Sequence, residues 1–183
     1  MAAATWCLFA MGMLGACDIV FFHVLGQGLR CNHDSRRELV THALRGLIYA
    51  TLFLVIPNIA FRGAAYVLLV GLLLFDVAIS VTDFTLEKQS RRLMGGLPTG
   101  EYLLHIALAA LYGAMLTSIL TATAPAWLHA PTAIRFEPAD VPTALRIALA
   151  TMAIGAFTTG TQDFLAVRRL MRTSPAHGNA CTR

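Results

Sequence analysis

Apolar residues run along this chain in five long blocks, separated by short polar or proline-rich breaks. Each block has the ~20 residues that an α-helix needs to cross bilayer hydrocarbon at 1.5 Å per residue. They predict helices over about 5–29, 38–60, 64–87, 100–123 and 143–167. The break at 61–63 is tight, and the one at 88–99, KQSRRLMGGLPT, holds a Gly-Gly pair and Pro98. The break at 124–142 carries Pro125, Pro131, Pro138 and Pro142 and is expected not to be regular helix. Trp127 there fits an interfacial anchor. The pattern predicts an all-α, polytopic integral membrane helical bundle of about five transmembrane helices. Residues 1–172 form its single transmembrane domain, and 173–183 a polar, disordered tail.

Composition supports the same class. The chain is 57% hydrophobic and 13% charged, with mean hydropathy +0.65, where a soluble domain carries about 25% charged residues. The first apolar run lacks a basic leading region and continues to about Leu29, so it reads as a retained span rather than a signal peptide. The four cysteines, Cys7, Cys17, Cys31 and Cys181, form no C-x-x-C pair, which argues against a thioredoxin-like or zinc-knuckle site.

The net charge of +4 comes from loop arginines rather than from a basic stripe with interleaved aromatics, so nucleic acid is not an expected partner. Arg30, Arg36, Arg37, Lys88, Arg91, Arg92, Arg168, Arg169, Arg172 and Arg183 fall on one side. Only Arg62, Arg135 and Arg146 fall on the other. The positive-inside rule then puts the N-terminus outside and the C-terminus in the cytoplasm, in the plasma membrane or, for a bacterium, the inner membrane.

Two segments nearly repeat. ELVTHALRGLIY gives Glu38, His42 and Tyr49, and EYLLHIALAALY gives Glu101, His105 and Tyr112. Each lies downstream of a Ser-Arg-Arg triplet, Ser35-Arg36-Arg37 or Ser90-Arg91-Arg92, and each preceding span carries an aspartate, Asp18 or Asp76. This suggests a parallel duplication of a hairpin, helices 1–2 and 3–4, about an axis along the membrane normal.

Nearly all ionisable residues within the spans share one depth, the cytoplasmic half. Helix 2 aligns Glu38, His42, Arg45 and Tyr49 on one face; helix 3 aligns Asp76, Ser80, Asp83 and Glu87; helix 4 aligns Glu101, His105 and Tyr112. Asp163 lies near the end of helix 5. Helix 1 is untidy, because Asp18 and His23 are ~140° apart on an α-helix. Ionisable groups at such depth are expensive and mark functional sites.

Imidazole plus carboxylate on facing helices suits Fe, Mn or Zn. The candidate metal ligands are His23, Glu38, His42, Asp83, Glu87, Glu101 and His105. Tyr49, Tyr112 and Arg45 are candidate catalytic groups, and Asp18, Asp76 and Asp163 are further intramembrane polar residues. The ligand chemistry is analogous to that of soluble di-iron bundles, although Glu-x-x-x-His replaces their Glu-x-x-His; the many histidines of membrane desaturases are absent. The function expected is oxidation or hydroxylation of a hydrophobic small molecule at a di-iron-like centre in contact with the lipid bilayer.

Four other readings remain open at this level. His42 and His105 could ligate haem b. The acidic stripe could serve a proton- or ion-coupled transporter, in which Gly46, Gly71, Gly113 and Gly155 allow close helix contacts and an oligomer forms. Asp83 and Glu87 with Arg91 and Arg92 could hold a magnesium-bound lipid phosphate. In the structural reading, Glu38 and Glu101 merely favour helix N-termini and pair with Arg37 and Arg92 in headgroup water. His33, His129 and His177 are assigned no role.

Overall fold

The computed structural model describes residues 1–26, 28–90 and 96–172. Arg91, Arg92 and the polar tail lie outside the described residues, as does the side chain of Trp127. Five helices are long and apolar enough to cross a membrane. They are α1 (Ala2–Asp18), α2 (Arg36–Val55), α3 (Ala64–Ser90), α4 (Thr99–Leu128) and α5 (Thr143–Arg172). Large apolar side chains such as Leu68, Val81 and Ile154 point outward, as expected where the surroundings are as apolar as the side chains.

Helix ends follow local chemistry. α1 passes without a break into a π-helical segment, Ile19–Gly26, and the chain then turns at Gly28, whose φ of 57° is left-handed. Two short 3₁₀ turns lead into α2, with the Asn32 side chain accepting a hydrogen bond from the Asp34 amide. α2 stops at Val55 because Pro57 follows two residues later and cannot donate to the helical ladder. The Asn58 side chain donates to the freed Leu54 carbonyl at 2.8 Å.

The far end of the bundle differs from expectation. α4 continues through Pro125 to Leu128, where regular helix was not expected. A proline in the final turn removes only one ladder hydrogen bond there, and the helix absorbs that loss. The chain beyond it forms β2 (Ala133–Phe136), antiparallel to β1 (Ile59–Arg62), with Ile59 opposite Phe136 and Arg62 opposite Ala133. Gly63 ends β1 with φ 58°, and a Cβ there would stand 2.6 Å from the Ala130 carbonyl oxygen, so both torsion and space require glycine.

Within the bundle α2 lies most extensively on α5, α1 on α4, and α3 on α2. The α2–α5 contact is set by Gly46 and Gly160. A Cβ on Gly46 would come within 2.8 Å of the Gly160 Cα and 2.9 Å of the Ala156 oxygen. Such backbone-to-backbone approach gives membrane helices the dispersion contacts that replace a hydrophobic driving force. Gly71, Gly113 and Gly155, also expected at helix contacts, have nothing within 4 Å of an added Cβ.

The duplicated hairpin gains no independent support from the fold. α1 ends in a π-helical segment and α3 does not, and the long α2–α5 contact has no counterpart on α4.

Two apolar clusters bracket the polar residues. The larger includes Leu8, Leu52, Leu73, Met115 and Leu149, one from each helix, and fills the half of the bundle nearer the strands. The smaller, Leu29, Leu39, Ala166, Val167 and Leu170, closes the opposite end.

Candidate metal centre

Between those clusters, four helices each direct two ionisable side chains inward. α1 with its π-helical extension supplies Asp18 and His23. α2 supplies Glu38 and His42, α3 supplies Asp83 and Glu87, and α4 supplies Glu101 and His105. The five carboxylates are buried, with Glu38 and Glu101 at 0% exposure. Glu38 lies in the first turn of α2, as the structural reading expects, but it is buried, whereas Arg37 beside it is exposed.

The π-helical segment explains the untidy geometry of the first span. Its hydrogen bonds run from i to i+5, so residues five apart come into line. Asp18 and His23, on diverging faces in an ideal α-helix, are brought to 3.5 Å between Oδ2 and Nε2. π-bulges occur frequently at functional sites. The sequence carried only an indirect signal of it: an Asp and a His that failed to align at 100° per residue.

The imidazoles meet carboxylates from other helices at matching distances. His23 Nε2 is 3.4 Å from Glu101 Oε1, and His42 Nε2 is 3.3 Å from Asp83 Oδ2. His105 Nε2 is 3.6 Å from Asp18 Oδ2, and its Nδ1 is 3.6 Å from Glu87 Oε2. All exceed the 2.7–3.2 Å of a direct N–H···O hydrogen bond. Two donor atoms each ~2.1 Å from one metal, at tetrahedral to octahedral angles, stand roughly 3.0–3.4 Å apart, a range that the His42–Asp83 and His23–Glu101 distances meet and the other three exceed slightly.

Three groups of donor atoms lie within 4.8 Å of one another: His23, Glu38 and His42; Asp18, Glu101 and His105; and His42, Asp83 and Glu87. The first two groups share no residue, although His23 of the first also approaches Asp18 and Glu101 of the second. Glu87 joins them, reaching both His42 and His105. The His23 and His42 rings are stacked, 4.5 Å between centroids and 2° from parallel. All seven ligands expected from the sequence fall in these groups. Asp18 joins them as an eighth, having been read only as a polar residue.

The remaining polar residues surround the groups without entering them. Thr41, which the sequence reading did not single out, places its hydroxyl against Asp83 Oδ1 and 2.6 Å from the Glu38 carbonyl. Arg45 Nη1 lies 3.4 Å from Asp83 Oδ2 and its Nε 3.7 Å from Asp76 Oδ1. Its guanidinium carbon sits 5.8 Å from the centre of the Tyr49 ring. The Tyr112 hydroxyl donates to the Leu73 carbonyl at 2.7 Å. Arg45, Tyr49, Asp76 and Tyr112 therefore lie nearer the middle of the bundle than the histidines. A Tyr112→Phe variant should lose about 1 kcal/mol of stability, the net worth of one hydrogen bond, with metal content unchanged by elemental analysis.

Asp163 belongs to a separate clasp. Its Oδ1 receives Arg30 Nε at 2.6 Å, while Arg30 Nη1 donates to Gln162 Oε1 at 2.7 Å. Arg169 donates to the Arg30 carbonyl at 2.9 Å. The clasp ties the turn after the π-helical segment to α5. Asp163→Ala should lower the melting temperature by several degrees, as expected when one partner of a largely buried pair is removed. It should leave bound metal per chain unaltered; loss of metal would instead make Asp163 a ligand.

Among the described side chains, six carboxylates, Asp18, Glu38, Asp76, Asp83, Glu87 and Glu101, are buried, and Arg45 and three imidazoles lie close to members of this set. Even with every imidazole protonated, these described groups carry more negative than positive charge. Each uncompensated buried charge costs several kcal/mol, so cations or shared protons must supply the balance.

No protein-family model matches the chain, and neither a curated protein nor a solved structure is significantly similar to it. The functional argument therefore rests on the geometry of these residues.

Proposed function

We propose that this protein is an integral-membrane metalloprotein that holds two first-row transition-metal ions in its helical bundle and oxidises an apolar substrate with dioxygen. The observation that carries the reading is the convergence of three donor groups, His23 with Glu38 and His42, Asp18 with Glu101 and His105, and His42 with Asp83 and Glu87, whose ligand atoms lie within 4.8 Å of one another in each group. One ion is held by His23, Glu38 and His42, the other by Asp18, Glu101 and His105. Glu87 bridges them, and Asp83 completes the first position.

Mixed imidazole and carboxylate donors suit Fe and Mn as well as Zn, and the first two can take part in redox chemistry. Two divalent ions supply four positive charges, close to the carboxylate excess. Dioxygen accepts four electrons. When one oxygen atom enters a C–H bond of the substrate, that bond supplies two electrons, and an external donor supplies the two that reduce the other atom to water. Arg45 and Thr41 hold Asp83 in place. Tyr49 and Tyr112 stand where they could donate to, or shuttle electrons near, the inner face of the centre. The arginine distribution supports a cytoplasmic position for this centre.

Metal binding to the folded state stabilises it by linkage. Stripping the ions with a chelator should lower the melting temperature, and adding back Fe or Mn should restore it. The functional test is rapid mixing of ferrous-loaded protein with dioxygen. The bound iron should oxidise faster than free ferrous ion under the same conditions, and His42→Ala with His105→Ala should abolish the difference. Ferrous-loaded protein that stays reduced in air would contradict the oxidase reading.

A further inference from the structure

A cavity of about 290 Å³ opens beside the cluster, between α1, α2 and α5. Its inner end is polar, formed by His42, Arg45 and Tyr49. Its outer walls are apolar, with Gly15 on α1, Phe53 on α2, and Met152 and Gly155 on α5. α1 and α5 touch only sparingly, and Gly155, in the cavity wall, is exposed. A pocket with one wet end at the ligand histidines and one dry end toward the bilayer has the form expected for an amphiphile's site.

We propose that this cavity admits, sideways from the bilayer, a chain amphiphile with a small uncharged oxygen head, an alcohol or a carbonyl. The inference rests on the metal-centre reading for the fate of the ligand, though not for its binding. The volume, near the lower end for small-molecule pockets, suits a single chain rather than a bulky ring system. Charge sets the head. Arg45 faces the cavity and repels a cationic head, while Asp18, which also lines it, and Asp83 behind His42 repel an anion. A neutral oxygen accepts hydrogen bonds from Arg45 and Tyr49 without bringing charge into this setting. The carbons next to the head then lie beside His23 and His42.

Gly15 and Gly155 have nothing within 4 Å of an added Cβ, so leucine at either position fills the cavity without pressing on backbone. The experiment uses the full chain in lipid nanodiscs and a 1-decanol analogue carrying a diazirine at the chain end. Photolabelling should map to the α1 and α5 segments around Gly15 and Gly155. It should be competed by 1-decanol and not by decane, decanoate or decylamine, and should fall at least tenfold in Gly155→Leu and in Gly15→Leu. Metal content and melting temperature, measured alongside, should match the parent protein.

Labelling that persists in both leucine variants would overturn the proposal, as would labelling spread evenly over the lipid-facing surface. Equal competition by decanoate would overturn the uncharged head. Labelling intact in a protein that holds no metal supports the cavity and removes the metal reading; metal intact with labelling absent does the reverse.

Discussion

Replacing His42 and His105 together with alanine should strip the protein of transition metal. His42 belongs to two of the three donor groups, and His105 supplies the only imidazole of the group it forms with Asp18 and Glu101. Each position would keep only carboxylates and, at the first, His23. Hard carboxylates alone select Mg or Ca rather than Fe or Zn. Elemental analysis should therefore fall from two transition-metal ions per chain to none, with His42→Ala alone affecting mainly one ion. The variant should also melt well below the parent, because removing the ions leaves buried carboxylates uncompensated. Retention of both ions by the double variant would move the ligands elsewhere.

The second large effect concerns packing. Gly46→Val should prevent α2 from seating on α5, because a Cβ there would stand 2.8 Å from the Gly160 backbone. No flexible side chain can move aside, so the helices must separate. Overpacking of this kind typically costs 1–3 kcal/mol and more where backbone must shift. Separation would also disturb His42, one turn from Gly46, and Arg45, its immediate neighbour on the same helix. The expected result is a monodisperse parent and an aggregated or metal-deficient variant by size-exclusion chromatography. Gly113→Val, where nothing lies within 4 Å of an added Cβ, should behave as the parent does.

Much of this architecture could be read from the chain, for identifiable reasons. A bilayer forces backbone polar groups into helices, so apolar length alone gives five spans. The same constraint makes polar residues on one helical face point inward. Glu38, His42, Asp83, Glu87, Glu101 and His105 were therefore visible as a set from offsets of four and seven. What escaped was whatever departs from α-helical period. Asp18 and His23 meet only because the helix widens to a π turn. The β1–β2 pair is four residues long on each strand, and the sequence pattern divides Ile59–Arg62 between the apolar run ending at 60 and the break at 61–63. The role of Gly46, as against Gly71, Gly113 and Gly155, depends on which faces touch, and spacing along one helix does not contain that. Arg30 with Asp163 is likewise a contact across 133 residues, and nothing local announces it.

These residues also weigh against the competing readings. Haem requires a wide slot between axial histidines, whereas His42 is stacked on His23 at 4.5 Å and both His42 and His105 meet the Glu87 carboxylate. Glu38 and Glu101 do lie in the first turns of α2 and α4, as the structural reading expects, but their burial conflicts with placing them in headgroup water. A proton relay would use the same carboxylates and differs from the metal centre in one observable, the ions themselves.

The decisive measurement is therefore metal stoichiometry of the untagged full-length protein, purified without chelators and without metal-affinity resin. Two first-row transition-metal ions per chain are predicted. Folded, monodisperse protein that carries no such ion, and takes up none when Fe, Mn or Zn is supplied, would contradict the account.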